Sequence, residues 1–180
     1  DNTSAENHTT IFTIAESPLD ANQVWVGTDD GNLQVTNDGG KTFSKVGNGP
    51  ILSYSLYEPF ILSGPKIRKF GDKYYLFYIA GKEWLIVNGK PEISHKIRLA
   101  ISEDGLKWNK VNKDIIPNGW HDNEAQASPD VFYANGKYHM FFCGWVPSNF
   151  RETKTRTIGY AYSTDLLNWT RDDSKVGIQL

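Results

Sequence analysis

Four carboxyl groups in this 180-residue chain stand just ahead of apolar, strand-like runs: Glu58 in YEPFIL, and Asp122, Glu124 and Asp130 in HDNEAQASPDVF. Two carboxyls that converge on one point can work as general acid and general base, provided their surroundings push their pKa values apart. HDNEAQASPD is the densest cluster of ionisable and amide side chains on the chain, and Trp120 beside it and Trp145 downstream offer flat apolar faces. Glu58 and Asp130 are therefore the candidates for catalysis, and Trp120, Asp122, Glu124 and Trp145 those for holding a substrate. Each has a plainer alternative. Asp130 follows Pro129 at a strand start, where a carboxylate often accepts nearby backbone N–H groups. Glu58 precedes a proline in an apolar run, so its burial requires a partner or a raised pKa. Asp122 and Glu124 read first as solvated loop charges. His121 beside Asp122 is one imidazole and one carboxylate, short of a metal ligand set, and His95 and His139 fall on strand patterns. Neither a metal nor another cofactor is expected.

The elements that must position these groups come from a repeat. LSGPKIRKFGDKYYLFYIAG followed by IRLAISEDGLKW returns as QASPDVFYANGKYHMFFCG followed by IGYAYSTDLLNW. Gly64-Pro65 aligns with Ser128-Pro129, Lys73-Tyr74 with Lys137-Tyr138, Ala100-Ile101-Ser102 with Ala161-Tyr162-Ser163, and each copy closes on Trp108 or Trp169. A period of about 40–60 residues built from short strands is the signature of propeller blades, four-stranded sheets that bury their faces on one another. The repeat predicts strands near 65–70, 74–79, 96–102 and 107–111, then near 129–134, 138–143, 157–163 and 168–172. Between the second and third strand each copy carries an insertion, KEWLIVNGKPEISH or WVPSNFRETKTR. Insertions at one place in successive blades share one face, where binding usually happens.

Upstream, TIFTIAES, QVWVGT, NLQVT and TFSKV are four short strands separated by turn residues, one more blade. The reading is thus all-β, a β-propeller of about three four-stranded antiparallel blades. Its parts are a frayed N-terminus and blade over 1–46, a Gly/Pro seam at 47–51, and two blades over 52–180. No segment sustains a 3.6-residue period, so helix is minor. A formal charge of −2 argues against nucleic acid or an anionic membrane as partner, and no run of eighteen apolar residues exists to span a bilayer. The single Cys143 reads as a small buried hydrophobe. The absence of a signal peptide and of an initiating Met reads as a processed product, a fragment or an engineered chain. Sequons at Asn2, Asn7 and Asn168 lean the compartment toward secreted or periplasmic without fixing it.

TNDGGKTF, residues 36–43, matches the Asp-box pattern, in which the aspartate accepts backbone N–H groups in a tight hairpin and the aromatic ring plugs the blade core. With IFTIAESPLDANQVWVGTDDGN before it, the first blade resembles those of sialidase-, xyloglucanase- and sortilin-type propellers. That resemblance implies a structural role for Asp38, and SEDGLKW and STDLLNW extend the same role to Asp104 and Asp165.

SPDVFYANGKYHMFF and TRTIGYAYSTDLLNWTR resemble the second blade of five-bladed glycosidases of families 43, 32 and 62. Ala127, Pro129, Asp130 and Val131 fit that family's turn, with Ser128 inserted. Asn135, Gly136, Lys137 and Tyr138 fit its second strand, and Ile158, Gly159, Ala161 and Ser163 its third. YEPFILSGPKIRKFGDKYYLFYIAG resembles a first blade of the same superfamily. The resemblance implies a propeller that acts on glycans or descends from enzymes that do. Glycosidic cleavage needs two carboxyls about 5–5.5 Å apart for retention or about 6.5–9.5 Å for inversion. The family draws its base from an Asp-Pro pair in the first blade, and here the pair reads Gly64-Pro65. A non-catalytic glycan-binding or structural propeller is the alternative. Because three blades do not close a ring, a homodimer completing six blades is the expected assembly, with carbohydrate as the partner class.

Overall fold

The computed structural model describes residues 10–28 and 32–176, and the chain divides into two compact units, residues 1–53 and 54–180. The sequons at Asn2 and Asn7, and all of the polar N-terminal stretch but Thr10, lie outside the described residues. Among the described residues the regular elements are strands, one four-residue helix and one short 3-10 turn. The strands form three four-stranded antiparallel sheets, each in simple chain order. The three sheets are β-propeller blades, one in the first unit and two in the second.

The first blade comprises β1 (Ile11–Glu16), β2 (Val24–Thr28), β3 (Leu33–Thr36) and β4 (Ser44–Val46). Its β3–β4 turn is built on Asp38. The carboxylate accepts the Lys41 and Thr42 N–H groups at 2.9 Å and the Thr42 hydroxyl at 2.6 Å. The buried Thr36 hydroxyl donates to Asp38 at 2.7 Å. Phe43, expected to plug the core, is 44% exposed. It stands immediately ahead of β4, as Trp108 and Trp169 stand immediately ahead of the closing strands of the other two blades.

The second blade comprises β5 (Leu62–Phe70), β6 (Lys73–Val87), β7 (Lys90–Ser102) and β8 (Asn109–Lys110), and the third β9 (Ala125–Ala134), β10 (Lys137–Trp145), β11 (Thr157–Ser163) and β12 (Thr170–Arg171). The first insertion is a continuation of the sheet. β6 and β7 run on past the blade as a ribbon that turns at Asn88-Gly89, both with positive φ, as a two-residue hairpin requires. The second insertion folds into α1 (Phe150–Thr153). The first strand of each blade breaks register at the prolines aligned by sequence. Gly64 and Ser128 have φ of 60° and 52°, and the ladder shifts between Ser63 and Lys66 and opposite the step from Phe141 to Cys143. A bulge with a left-handed residue kinks a strand and re-aims what precedes it, here the segments carrying Glu58 and Glu124.

One apolar core joins these two blades. Phe77, Ile79, Ile97 and Leu99 of the second blade pack with Val131, Met140, Phe142, Leu166 and Trp169 of the third, and Phe77 meets Trp169 edge-on at 6.3 Å. The core is anchored at the β7–β8 and β11–β12 turns. The Trp108 and Trp169 indoles donate to the carbonyls of Gly105 (3.1 Å) and Leu166 (2.9 Å), while buried Ser102 and Ser163 donate to Asp104 and Asp165. Asp165 accepts the Asn168 backbone N–H, the Asn168 amide and the Leu167 N–H, which hold its carboxyl well below the usual range. Asp104 is lowered by the Lys107 and Leu106 N–H groups, and Asp38 by the Thr42 and Thr36 hydroxyls and the Thr42 N–H.

Depressed carboxyls contribute stability that is fully present above their unfolded pKa of about 3.9 and is lost as pH falls through the lower folded values. Thermal melts should therefore hold steady from pH 7 to 5 and decline below pH 4. Asp165→Asn should lower the pH 7 melting temperature and flatten that acid decline; an unchanged acid slope would count against the turn carboxylates as its cause.

Candidate functional site

Leu62 pairs with Ala80 and Ala125 with Trp145, so the starts of β5 and β9 lie at the end of the sheets from which both insertions emerge. The segments leading into β5 and β9 carry Glu58 and Glu124, and both side chains are fully buried. Neither is a solvated loop charge. The Tyr78 hydroxyl donates to Glu58 Oε1 at 2.7 Å, the Lys110 ammonium pairs with Oε2, and Arg98 lies 3.7 Å from Oε1. Burial, then the Glu58 contact, pushes the Tyr78 hydroxyl far above its ordinary range, so it remains a donor. Arg98 also approaches Asp114 at 2.7 Å, a charge contact without hydrogen-bond alignment, and Lys82 reaches the same carboxylate at 3.1 Å.

Glu124 has a comparable surround. Its carboxylate accepts the Gly119 and Trp120 N–H groups at 3.0 and 2.8 Å and the Gln126 amide at 2.7 Å, and it pairs with Arg171. Burial alone would raise its pKa. The Gln126 amide, the two N–H groups and Arg171 together outweigh burial and hold it below the usual range. Glu124 is thus a fixed anion at neutral pH. The buried Lys96 ammonium donates to the Glu124 carbonyl and to Asn118, both at 2.5 Å, and burial lowers its pKa.

The two arrangements are one device used twice. Lys110 and Arg171 each stand two residues after the closing tryptophan, opposite Ala100 and Ala161 in identical register, and each neutralises the glutamate that precedes its own blade. The pairing was missed in the sequence reading, although a signal existed: Trp108-x-Lys110 and Trp169-x-Arg171 are the same position of the repeat.

The other candidates separate from this pair. Asp130 lies on β9 with its side chain 55% exposed and pairs with Arg68, whose Nε donates to the Val131 carbonyl at 2.9 Å. Glu58 and Asp130 share no partner. Trp120 is half-buried; the Arg171 guanidinium covers one face at 3.9 Å, and its edge lies where a Cβ at Gly144 would fall. Asp122 is exposed. Trp145 is half-buried beneath the Arg156 guanidinium at 4.2 Å, between His95 and Phe150 at 5.8 and 5.7 Å. Burial, with Arg156 adding to it, lowers the His95 pKa.

The insertions meet above these residues. Arg151 of α1 pairs with Glu92 of β7, and the Asn88 amide donates to Glu152 at 3.2 Å. Between them lies a cleft of about 140 Å³ lined by Asn88, Lys90, Ser148, Asn149, Arg151 and Glu152 among others. Trp84, half exposed, stands on the same ribbon against Phe60. Among the described residues, no three His, Cys, Asp or Glu side chains are placed to hold a metal ion, and no helix is long and apolar enough to cross a membrane.

This architecture is the propeller fold found in glycoside hydrolases. Sucrose-6-phosphate hydrolase from Lactobacillus gasseri superposes with a TM-score of 0.61 over 96% of this chain and 37% of its own, at 14% identity. A GH32 β-fructofuranosidase from Bombyx mori gives 0.60 over 93% and 37%, at 19% identity. A further glycoside hydrolase gives 0.58 over 82% and 43%, at 18% identity. No family model matches the sequence. Two uncharacterized proteins of Mycobacterium tuberculosis are 32% identical over 144 residues, 80% of this chain and 45% of theirs. The chain thus spans less than half the length of the curated relatives it matches.

Removing one member of a buried ion pair leaves the other charge stranded, at a cost of about 3–5 kcal/mol. Arg171→Met should destabilise the protein by about that amount in urea denaturation, and adding Glu124→Gln should recover much of it. A double variant no more stable than Arg171→Met would show that Arg171 acts through something other than Glu124.

Proposed function

We propose that this chain is a glycoside hydrolase-like propeller that engages carbohydrate at the face formed by its two insertions. The observation that carries the reading is the cleft between them, whose volume of about 140 Å³ suits a single sugar unit rather than a drug-sized ligand. Its lining supplies amide, hydroxyl and ammonium groups that match sugar hydroxyls as donors and acceptors. The likeness in fold to glycoside hydrolases supports the same substrate class. Two copies of the chain pairing would complete a ring around that face.

A hydrolytic role for Glu58 and Asp130 is the second reading, favoured by the open Asp130 carboxylate beside Arg68. Glu58 enters it as a fully buried group already engaged by Lys110, Tyr78 and Arg98. The binding reading needs no free proton donor, and Glu124 is held ionised by its own partners.

Calorimetric titration with xylo-, arabino- and fructo-oligosaccharides separates the two. Asn149→Ala with Lys90→Ala should weaken any binding about tenfold or more, the loss of roughly 1.4 kcal/mol expected for missing polar contacts, while Asp130→Asn should leave it intact. Release of reducing sugar that disappears in Asp130→Asn and Glu58→Gln would establish hydrolysis. Binding untouched by the Asn149 and Lys90 changes would remove the cleft from the site.

A further inference from the structure

The cations of the two long blades are for the most part already matched: Lys82 and Arg98 share Asp114, and Lys110 and Arg171 face the buried glutamates. Lys90, in the wall of the cleft between the insertions, is different. Among the described residues its ammonium has neither an ion pair nor a hydrogen bond. The ribbon places it. Lys90 opens β7 directly after the Asn88-Gly89 turn, opposite Val87, and Glu92 follows two residues on. Residues two apart on a strand share a face, so Lys90 and Glu92 project together, and Glu92 holds Arg151 against that same side. One wall therefore carries two cations. Arg151 uses only Nε on Glu92, so both of its terminal amino groups are without a partner among the described residues. Its side chain is 52% exposed and that of Glu92 15%, which makes the carboxylate the covered member of the pair and the guanidinium the open one. The opposing charge is Glu152, the one carboxylate in the lining, whose Oε1 accepts the Asn88 amide at 3.2 Å. The lining thus holds two cations to one anion. Asn149 adds an amide that caps nothing in α1, and Ser148 a hydroxyl.

We infer that this cleft selects a sugar bearing a carboxylate, a uronic acid, over the neutral form of the same sugar. The free edge of the Arg151 guanidinium, Nη1 and Nη2, receives the two carboxylate oxygens, and Lys90 supplies a second positive charge from the same wall. A planar guanidinium meets a carboxylate through two parallel N–H bonds, whereas an ammonium acts as a point charge, so the two cations have different parts. A carboxylate offers two coplanar oxygens to that edge and one negative charge to a lining with a surplus of one positive. Asn149 and Ser148 remain for the ring hydroxyls. The inference rests on the reading of the cleft as a carbohydrate site and adds to it the class of sugar.

Calorimetric titration with glucuronate and galacturonate oligosaccharides against their methyl esters tests it, since esterification removes the charge and keeps the sugar. The acid form should bind about fivefold more tightly or better, a difference of about 1 kcal/mol at the upper end for an exposed ion pair. Its advantage should shrink between about 0.01 and about 0.15 M salt, as the screening length falls from about 30 to about 8 Å. Lys90→Gln should bring acid and ester to within about twofold of each other. Arg151→Lys, which keeps the charge opposite Glu92 and loses the fork, should narrow the difference in part. Lys66→Gln, at an exposed lysine on β5 outside the lining, should leave it whole. Melting temperature establishes that each variant is folded; should Arg151→Lys fail that check, Lys90→Gln, on the exposed ribbon, decides. Acid and ester bound equally, or a preference that survives Lys90→Gln, overturns the inference and leaves the cleft a site for neutral sugars. Sulfated oligosaccharides bound more tightly than the uronates overturn the carboxylate. A protein that binds neither acid, nor ester, nor the neutral oligosaccharides overturns the carbohydrate reading itself.

Discussion

Each long blade is closed by a carboxylate that has been taken out of water. Glu58 and Glu124 are fully buried, and an isolated charge in that position would cost more than a small domain has to spare. The cation from the fourth strand of the same blade makes the position tenable, and in doing so ties the segment entering the first strand to the last strand laid down. An apolar pair would hold the two segments together as strongly or more so. A charge pair with hydrogen bonds to Tyr78, or to Gly119, Trp120 and Gln126, tolerates only one arrangement. The bulges at Gly64 and Ser128 belong to the same device, since a straight first strand would send the preceding segment in another direction.

That constraint shapes the chemistry left over. A carboxylate saturated by donors and a cation is a poor proton donor at neutral pH, and Glu124 is held in its charged form. Lys96 and Arg98 lie in the same network, so the end of the blades where a propeller's polar residues gather is mostly occupied with its own charges. Outward of these charges, the ribbon and the helix of the insertions are joined by Arg151–Glu92 and Asn88–Glu152.

Backbone-level features were legible in the sequence because they depend on residue type at a fixed period. Strand order, turn positions and the site of both insertions follow from alternation and from Gly, Asn and Asp, which the turns require. The Asp38, Asp104 and Asp165 turns were legible for the same reason. Less legible was anything set by distance along the chain. Glu58 and Lys110 are separated by 52 residues and Glu124 and Arg171 by 47, and a carboxylate ahead of a strand looks the same whether it awaits a substrate or a lysine. Nor does alternation distinguish an insertion that extends a sheet from one that leaves it as a loop: KEWLIVNGKPEISH continues β6 and β7, whereas the segment after Trp145 forms a helix.

The repeat also explains why equivalent residues have different fates. Phe77 and Phe141 occupy one position of one unit, and the first is buried only because a second unit follows it. A blade's faces are apolar because the repeat is copied whole, including the face meant for a neighbour, so burial at that face is a property of the array and not of the blade. The closing tryptophan makes the same point from the other side. Trp169, immediately ahead of β12, is buried and receives Phe77 edge-on from the preceding blade, and Phe43, at the corresponding place ahead of β4, is 44% exposed. Sequence equivalence therefore fixes which atoms each blade presents, and the order of blades decides which of them find a partner.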